Sequence, residues 1–270
     1  MELIRITSRQ NETLKTVRAL SEKKYRKQLG LFFTEGRKLF FEALEAGLVP
    51  KFTVLSEDAP EEMREGVCAA LKPWDVRCLS VPASVYASVS AEDAPQGILA
   101  VFSVREVLEN SKKFRPESPE SGRYVILERV QDPGNAGTIL RSAAAFGYTG
   151  VLAVSGADLF SPKAVRASMG ALFHLEILVF PELSGALGEV RARGLHLYGT
   201  APRAEISITG AAYAEPFGVI LGNEGAGMSE EAMEACEKLF TIPMRGMESL
   251  NVAAACAVTL YESTRGRVNG

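Results

Sequence analysis

Between Tyr124 and the C-terminus, short continuous apolar runs alternate with helical patterns, and that alternation leaves few folds open. The expected strands are Tyr124–Glu128, Gly150–Val154, Leu175–Phe180, Leu195–Tyr198, Phe217–Leu221 and Leu239–Ile242. The expected helices are Ala136–Phe146, Pro162–Met169, Leu183–Arg193, Glu230–Cys236 and Val252–Tyr261. Strands that are apolar on both faces belong to a mainly parallel sheet with helices on both sides. In such sheets ligands settle at the carboxyl ends of the strands. The loops after Glu128, Tyr198, Leu221 and Ile242 are therefore where a site is expected.

Upstream the same alternation runs on shorter elements. One or two helices span Asn11–Leu29, and Leu31–Thr34 reads as a strand. A helix follows Glu35-Gly-Arg37 and stops at Gly47. Strand Lys51–Leu55, helix Ala59–Leu71 and strands Val76–Leu79 and Gly97–Phe102 complete a smaller α/β domain, residues 1–104. Residues 105–122 are polar and proline-bearing and read as a linker, leaving 123–270 as the second domain.

Composition removes several classes. No apolar run approaches the ~20 residues of a membrane span. Met1-Glu-Leu-Ile-Arg lacks the plan of a signal peptide, so a cytoplasmic location is expected. Cys68, Cys78, Cys236 and Cys256 are scattered and His174 and His196 stand apart, so reduced thiols and no metal are expected. The net charge is −3, yet Arg9, Lys15, Lys23, Lys24, Arg26 and Lys27 crowd the start of the chain. They form either a solvated helix face or a nucleic-acid footprint.

Each loop carries its own chemistry. In Val130-Gln-Asp-Pro-Gly-Asn-Ala-Gly-Thr-Ile-Leu-Arg-Ser142, Thr138 and Arg141 share a helix face, with Asn135 one step before them. Arg141 is either a surface residue or a phosphate ligand in a cleft. Tyr198-Gly-Thr-Ala201 is a turn or a seat for a flat ligand. Leu221-Gly-Asn-Glu-Gly-Ala-Gly-Met-Ser229 is glycine-rich but lacks the dinucleotide spacing and the P-loop lysine. Glu224 inside it would repel a pyrophosphate. In the last loop, Ser249 and Asn251 are cap-type residues before a helix of small residues. That helix is either core or packs on a second subunit.

Taken in order, Asn135-Ala-Gly-Thr-Ile-Leu-Arg141, Leu221-Gly-Asn-Glu-Gly225 and Ile242-Pro-Met with Ser249-Leu-Asn251 resemble the SpoU/TrmH family of RNA ribose 2′-O-methyltransferases, of the SPOUT superfamily. The N-terminal part, Ile6-Thr-Ser through Glu35-Gly-Arg37 to Val101, is similar to that family's substrate-binding domain. The resemblance implies S-adenosylmethionine as cofactor, a C-terminal trefoil knot, and a homodimer whose active site draws on both subunits. It implies Asn135, Arg141, Glu224, Ser249 and Asn251 as active-site positions. Gly199, Thr200, Leu221, Gly222, Ile242 and Leu250 become cofactor contacts. Arg9, Lys15, Lys23, Lys24, Arg26 and Lys27 become RNA contacts. The charged stretch Arg245-Gly-Met-Glu248 departs from the family pattern. Ribosomal RNA is the expected substrate. The same reaction on transfer RNA, a catalytically inactive RNA-binding relative, and a nucleotide-dependent oxidoreductase are the alternatives.

Overall fold

The computed structural model describes residues 3–118 and 121–265. The chain forms two compact units. The first holds residues up to Asn110 together with Phe160–Phe173, and the second holds Ser111–Leu159 and the chain from His174 onward.

The first unit contains β1 (Leu3–Arg5), α1 (Glu12–Ala19), α2 (Lys23–Leu29), β2 (Leu31–Glu35), α3 (Arg37–Glu45), β3 (Phe52–Ser56), α4 (Glu61–Leu71), β4 (Arg77–Val81), α5 (Ala83–Tyr86), β5 (Ile98–Ser103) and α6 (Val104–Ser111). Its strands lie in the order β1-β4-β3-β5-β2, with β5 antiparallel to both neighbours. One sheet face packs Phe33, Val54, Leu79 and Val101 against Leu14, Val17 and Leu20 of the N-terminal helical segment.

The opposite face is completed by a distant piece of chain. Phe160 packs on Phe32 with ring centroids 5.1 Å apart, and Phe173 approaches the same ring at 6.3 Å. Between them lies α8 (Pro162–Ser168), whose Arg166 pairs with Glu92 at 3.6 Å. Sequence pattern shows that α8 exists, but its packing partner is decided by Phe32, about 130 residues upstream.

The stretch read as a linker is partly helical. Val104, Val107, Leu108 and Ser111 fall at helical spacing, and α6 closes with a 3₁₀ turn over Lys112–Phe114. The polar residues between them masked that stripe. Arg26 also departs from expectation. It is 5% exposed and its guanidinium donates to the Leu20 carbonyl at 2.6 Å, closing the α1–α2 junction. It is not available to RNA. Arg9 donates to the Ser84 carbonyl at 3.0 Å, and Lys15 pairs with Glu12 at 2.7 Å.

The second unit contains β6 (Arg123–Glu128), α7 (Pro133–Ala145), β7 (Gly150–Val154), β8 (Glu176–Phe180), α9 (Leu183–Ala192), β9 (His196–Thr200), β10 (Ile206–Ser207), β11 (Phe217–Leu221), α10 (Glu230–Ala235), β12 (Lys238–Thr241) and α11 (Val252–Thr264). All seven strands are parallel, in the order β10-β12-β9-β11-β6-β7-β8. One face buries Ile126, Leu152, Leu197 and Ile220 under Leu183 and Leu187 of α9. Toward the other, Tyr148 and Ser263 of α11 share a hydrogen bond at 2.7 Å. Arg193 forms a bidentate pair with Glu176, at 2.7 and 3.0 Å, and stacks over the Tyr124 ring. A buried pair so fully bonded avoids the penalty of an orphaned charge.

A single tryptophan, Trp74, lies between α4 and β4 and reports on the first unit. Phe160→Ala should destabilise that unit by about 3–5 kcal/mol, the range for deleting a buried phenylalanine. Urea unfolding followed by Trp74 emission checks this, and an unchanged midpoint would remove Phe160 from the first unit's core.

Candidate functional site

Four strand ends build the site. β9 ends at Thr200, β11 at Leu221 and β12 at Thr241, and β6 ends at Glu128 beside them in the sheet. The loops after β9, β11 and β12 enclose a cavity of about 320 Å³. Thr200, Leu221, Gly222, Ile242 and Leu250 border it, with Ser249 and Glu224 at its polar side. Gly199 does not border it. Its missing side chain instead leaves room for Met228, Cys236 and Leu239, each within about 3 Å of where a Cβ would stand.

The loop after β11 folds tightly on itself. Asn223 and Gly227 exchange backbone hydrogen bonds at 3.0 and 2.9 Å. The Asn223 carboxamide oxygen accepts from Gly225 N and Ala226 N, both at 3.0 Å. Its nitrogen donates to the Arg129 carbonyl at 2.9 Å. Asn223 was not expected as a site residue, although an asparagine beside glycines is a known turn former. Gly222 is fixed by contact. A Cβ there would sit 2.2 Å from both the Gly227 carbonyl carbon and Met228 N.

Helix α7 begins three residues earlier than expected. Asp132 caps it by accepting from Asn135 N at 2.9 Å, and Pro133 occupies the first turn, where no N–H is needed. Asn135 therefore stands in the first helical turn, facing Glu224. One oxygen of Glu224 accepts from Asp132 N and from the Asn135 side chain, both at 3.0 Å. The other accepts from Gln131 N at 3.0 Å. Asn251 caps α11 through Ala253 N and Ala254 N, and its amide nitrogen donates to the Asn135 oxygen at 3.0 Å. Glu224, Asn135 and Asn251 thus link three loops in a continuous hydrogen-bonded chain. Arg129, just before the first of these loops, holds a left-handed φ of 55°, a strained backbone of the kind that clusters at functional sites.

Burial tends to raise the Glu224 pKa, but the Gln131, Asp132 and Asn135 donors outweigh it and hold it below 4.5. Arg141 lies further along α7. It is exposed, outside the cavity lining, and has no ion-pair partner among the described residues. The cavity lining carries one carboxylate, Glu224, and no lysine, arginine or histidine. It suits a ligand that is apolar or cationic more than one bearing phosphate. Among the described residues no cluster could hold a metal ion, and no helix is long and apolar enough to cross a membrane.

The family model described as SpoU rRNA Methylase matches residues 122–261. The chain belongs to the SpoU rRNA methylase family. A model of the MRM3-like substrate binding domain matches residues 11–100. Within the SpoU family, the chain is 33% identical to the 23S rRNA (guanosine(2553)-2′-O)-methyltransferase RlmP of Bacillus subtilis, over 95% of this chain and 97% of that protein. The AdoMet-bound rRNA methyltransferase of Sinorhizobium meliloti superposes with a TM-score of 0.86 at 31% identity, covering 99% of each chain. The SpoU methyltransferase AviRb of Streptomyces viridochromogenes, in complex with AdoMet, superposes at 0.85 with 26% identity, covering 97% of this chain and all of that one.

The Glu224 bridge predicts a measurable local effect. Glu224→Ala should speed hydrogen exchange at the Gln131 and Asp132 amides by about tenfold, as charge-assisted bonds are lost. In the parent chain the depressed pKa means that the bridge is intact at neutral pH. It loosens only as pH falls through a value below 4.5. Exchange at these amides that is insensitive to the substitution would rule the bridge out.

Proposed function

We propose that the chain is an S-adenosylmethionine-dependent enzyme that methylates a ribose 2′-hydroxyl of ribosomal RNA. The observation that carries this reading is the joining of the three family motifs by Glu224, Asn135 and Asn251, beside the cavity that the second and third of them border. The RNA methyltransferase relatives, two of them solved with AdoMet, support it.

The cavity fits the cofactor. Leu221, Ile242 and Leu250 offer apolar surface to an adenine, and the Gly222–Gly227 backbone offers hydrogen bonds to its polar groups. The lone carboxylate and the absence of basic residues in the lining favour a sulfonium over a phosphate. S-adenosylmethionine supplies an activated methyl group. What remains for the protein is to hold the sugar oxygen in line with it and to manage the departing proton.

Glu224 is a positioning residue in this reading, because its carboxylate oxygens already bind the loop before α7. Asn135 and Asn251 tie the neighbouring loops together, and Ser249 on the cavity lining meets the nucleotide. Arg141 grips the phosphate next to the target ribose. Guanidinium does not deprotonate in proteins, so Arg141 orients and stabilises charge without acting as a base. Its exposure on α7, outside the lining in one chain, supports a homodimer in which the partner's copy completes the site. The small-residue helix α11, with Val258 and Tyr261 exposed, supports the same arrangement.

The placement of β12 between β9 and β10 supports a trefoil knot. The chain leaves β9, makes β10 at the sheet edge and returns to β11. It then adds β12 between β9 and β10 before α11. The first unit selects the RNA, through phosphate contacts and shape.

Arg141→Ala should lower methyl transfer to 23S rRNA at least about 100-fold, the scale for removing one charge-stabilising group, while cofactor affinity holds. Gly222→Ala should abolish cofactor binding, since its Cβ meets backbone at 2.2 Å. Mixed dimers of the two inactive variants should regain part of the activity, because one of their two sites keeps both residues. Tritium transfer from labelled cofactor measures all three. No recovery in the mixture would exclude a site shared between subunits, and full activity of Arg141→Ala would remove its role.

A further inference from the structure

A cavity of about 510 Å³ lies in the first unit, at the carboxyl ends of β2, β3 and β4. Its floor is apolar and deeply set, with Met63 9% and Tyr86 1% exposed. Pro60, Pro95 and Phe41 supply further apolar wall. Gly97 (φ +83°) lets the wall close up, since a Cβ there would stand 2.9 Å from the Ala59 methyl.

Among the described residues, the charged groups on this lining form no ion pair. The Arg37 guanidinium stacks on Phe41, 5.6 Å from the ring centroid, and has no carboxylate partner among the described residues. The carboxylates of Asp58 and Glu62 have no hydrogen-bond or ion-pair partner among the same residues. Gln96 caps α3 by accepting from Arg37 N at 2.9 Å, and its amide nitrogen is unengaged. The cavity therefore holds a free cation and two free carboxylates around an apolar floor. A fitting ligand has a flat body, an anionic group, and an edge of N–H donors.

We propose that this cavity binds an unpaired guanosine nucleotide of the substrate RNA, with its phosphate at Arg37 and its base edge at Asp58 and Glu62. Guanine carries an imino and an amino N–H side by side, and a carboxylate accepts both. Uracil offers one N–H between two carbonyl oxygens, which a carboxylate repels. An extruded base seated on apolar and aromatic side chains is how proteins read single-stranded RNA. The inference rests on the RNA reading above. It moves the sequence-reading surface from the basic face of α1 and α2 to the strand ends of the first sheet.

The test uses the full chain and fluorescein-labelled 12-mers of oligouridylate with one central G, A, C or U, titrated by anisotropy at fixed salt. The oligomer with G should bind about tenfold tighter than the all-U oligomer, as expected for hydrogen bonds to a charged acceptor. The double substitution D58N/E62Q should bring all four to one affinity. Both residues are exposed, and Trp74 unfolding confirms that the variant folds. Arg37→Ala should weaken all four oligonucleotides by a common factor. Equal affinities in the parent chain, or a guanine preference that survives D58N/E62Q, overturns the proposal. Competition by free GMP as strong as by the G oligomer overturns the RNA-borne source in favour of a free nucleotide. Methyl transfer to an unmodified 23S rRNA transcript is run in parallel. Transfer without guanine preference sinks the cavity assignment alone. Preference without transfer sinks the catalytic reading and leaves the guanine site standing.

Discussion

The Glu224 carboxylate is the junction on which the second unit's site depends. It binds main-chain N–H groups 92 and 93 residues away in the chain, and the Asn135 side chain 89 residues away. Asn251 joins from a further 116 residues beyond Asn135. Bringing such distant loops together carries a closure entropy that grows only slowly with length, so a few charge-assisted bonds suffice to hold them. The same bonds satisfy the orphan donors of the loop that precedes α7, which would otherwise need water. One acidic side chain therefore does for three loops what a metal ion does in other sites.

Both large cavities obey one rule. Each lies at the carboxyl ends of strands in its own sheet, where loops diverge and leave a crevice. They differ in charge. The cavity of the second unit has one carboxylate, and that carboxylate is already engaged. The cavity of the first has an arginine and two acids without an ion-pair partner among the described residues. A donor with a positive sulfonium and a nucleotide with a phosphate would each find the complementary surroundings in a different unit.

The parallel sheet of the second unit was legible because each of its core strands is apolar throughout, and burial on both faces demands that. The Asn251 cap was legible because asparagine before an alanine-rich run has a local reason to be there. Three features were hidden because their cause is tertiary. Arg26 reads as one more cation in a basic stretch, and only its geometry against the Leu20 carbonyl reveals a structural role. The stripe of α6 was obscured by the polar residues on its other face. Asp132-Pro133 is a helix start by its chemistry, but the expected helix began only at Ala136, because two glycines, at positions 134 and 137, flank its first residues. The resemblance pointed to Glu224, while its partners came only from the fold.

The excursion of Phe160–Phe173 into the first unit has a consequence for biosynthesis. The backbone crosses between units after Asn110, Leu159 and Phe173. As the chain leaves the ribosome, the first sheet is complete by Ser103, but the patch around Phe32 lacks Phe160 and Phe173 until they have emerged. Nascent chains usually mature domain by domain from the N-terminus. Here the earlier unit waits until residues 111–159 of the later one have been made, and Phe32 stays open to wrong partners in the interval.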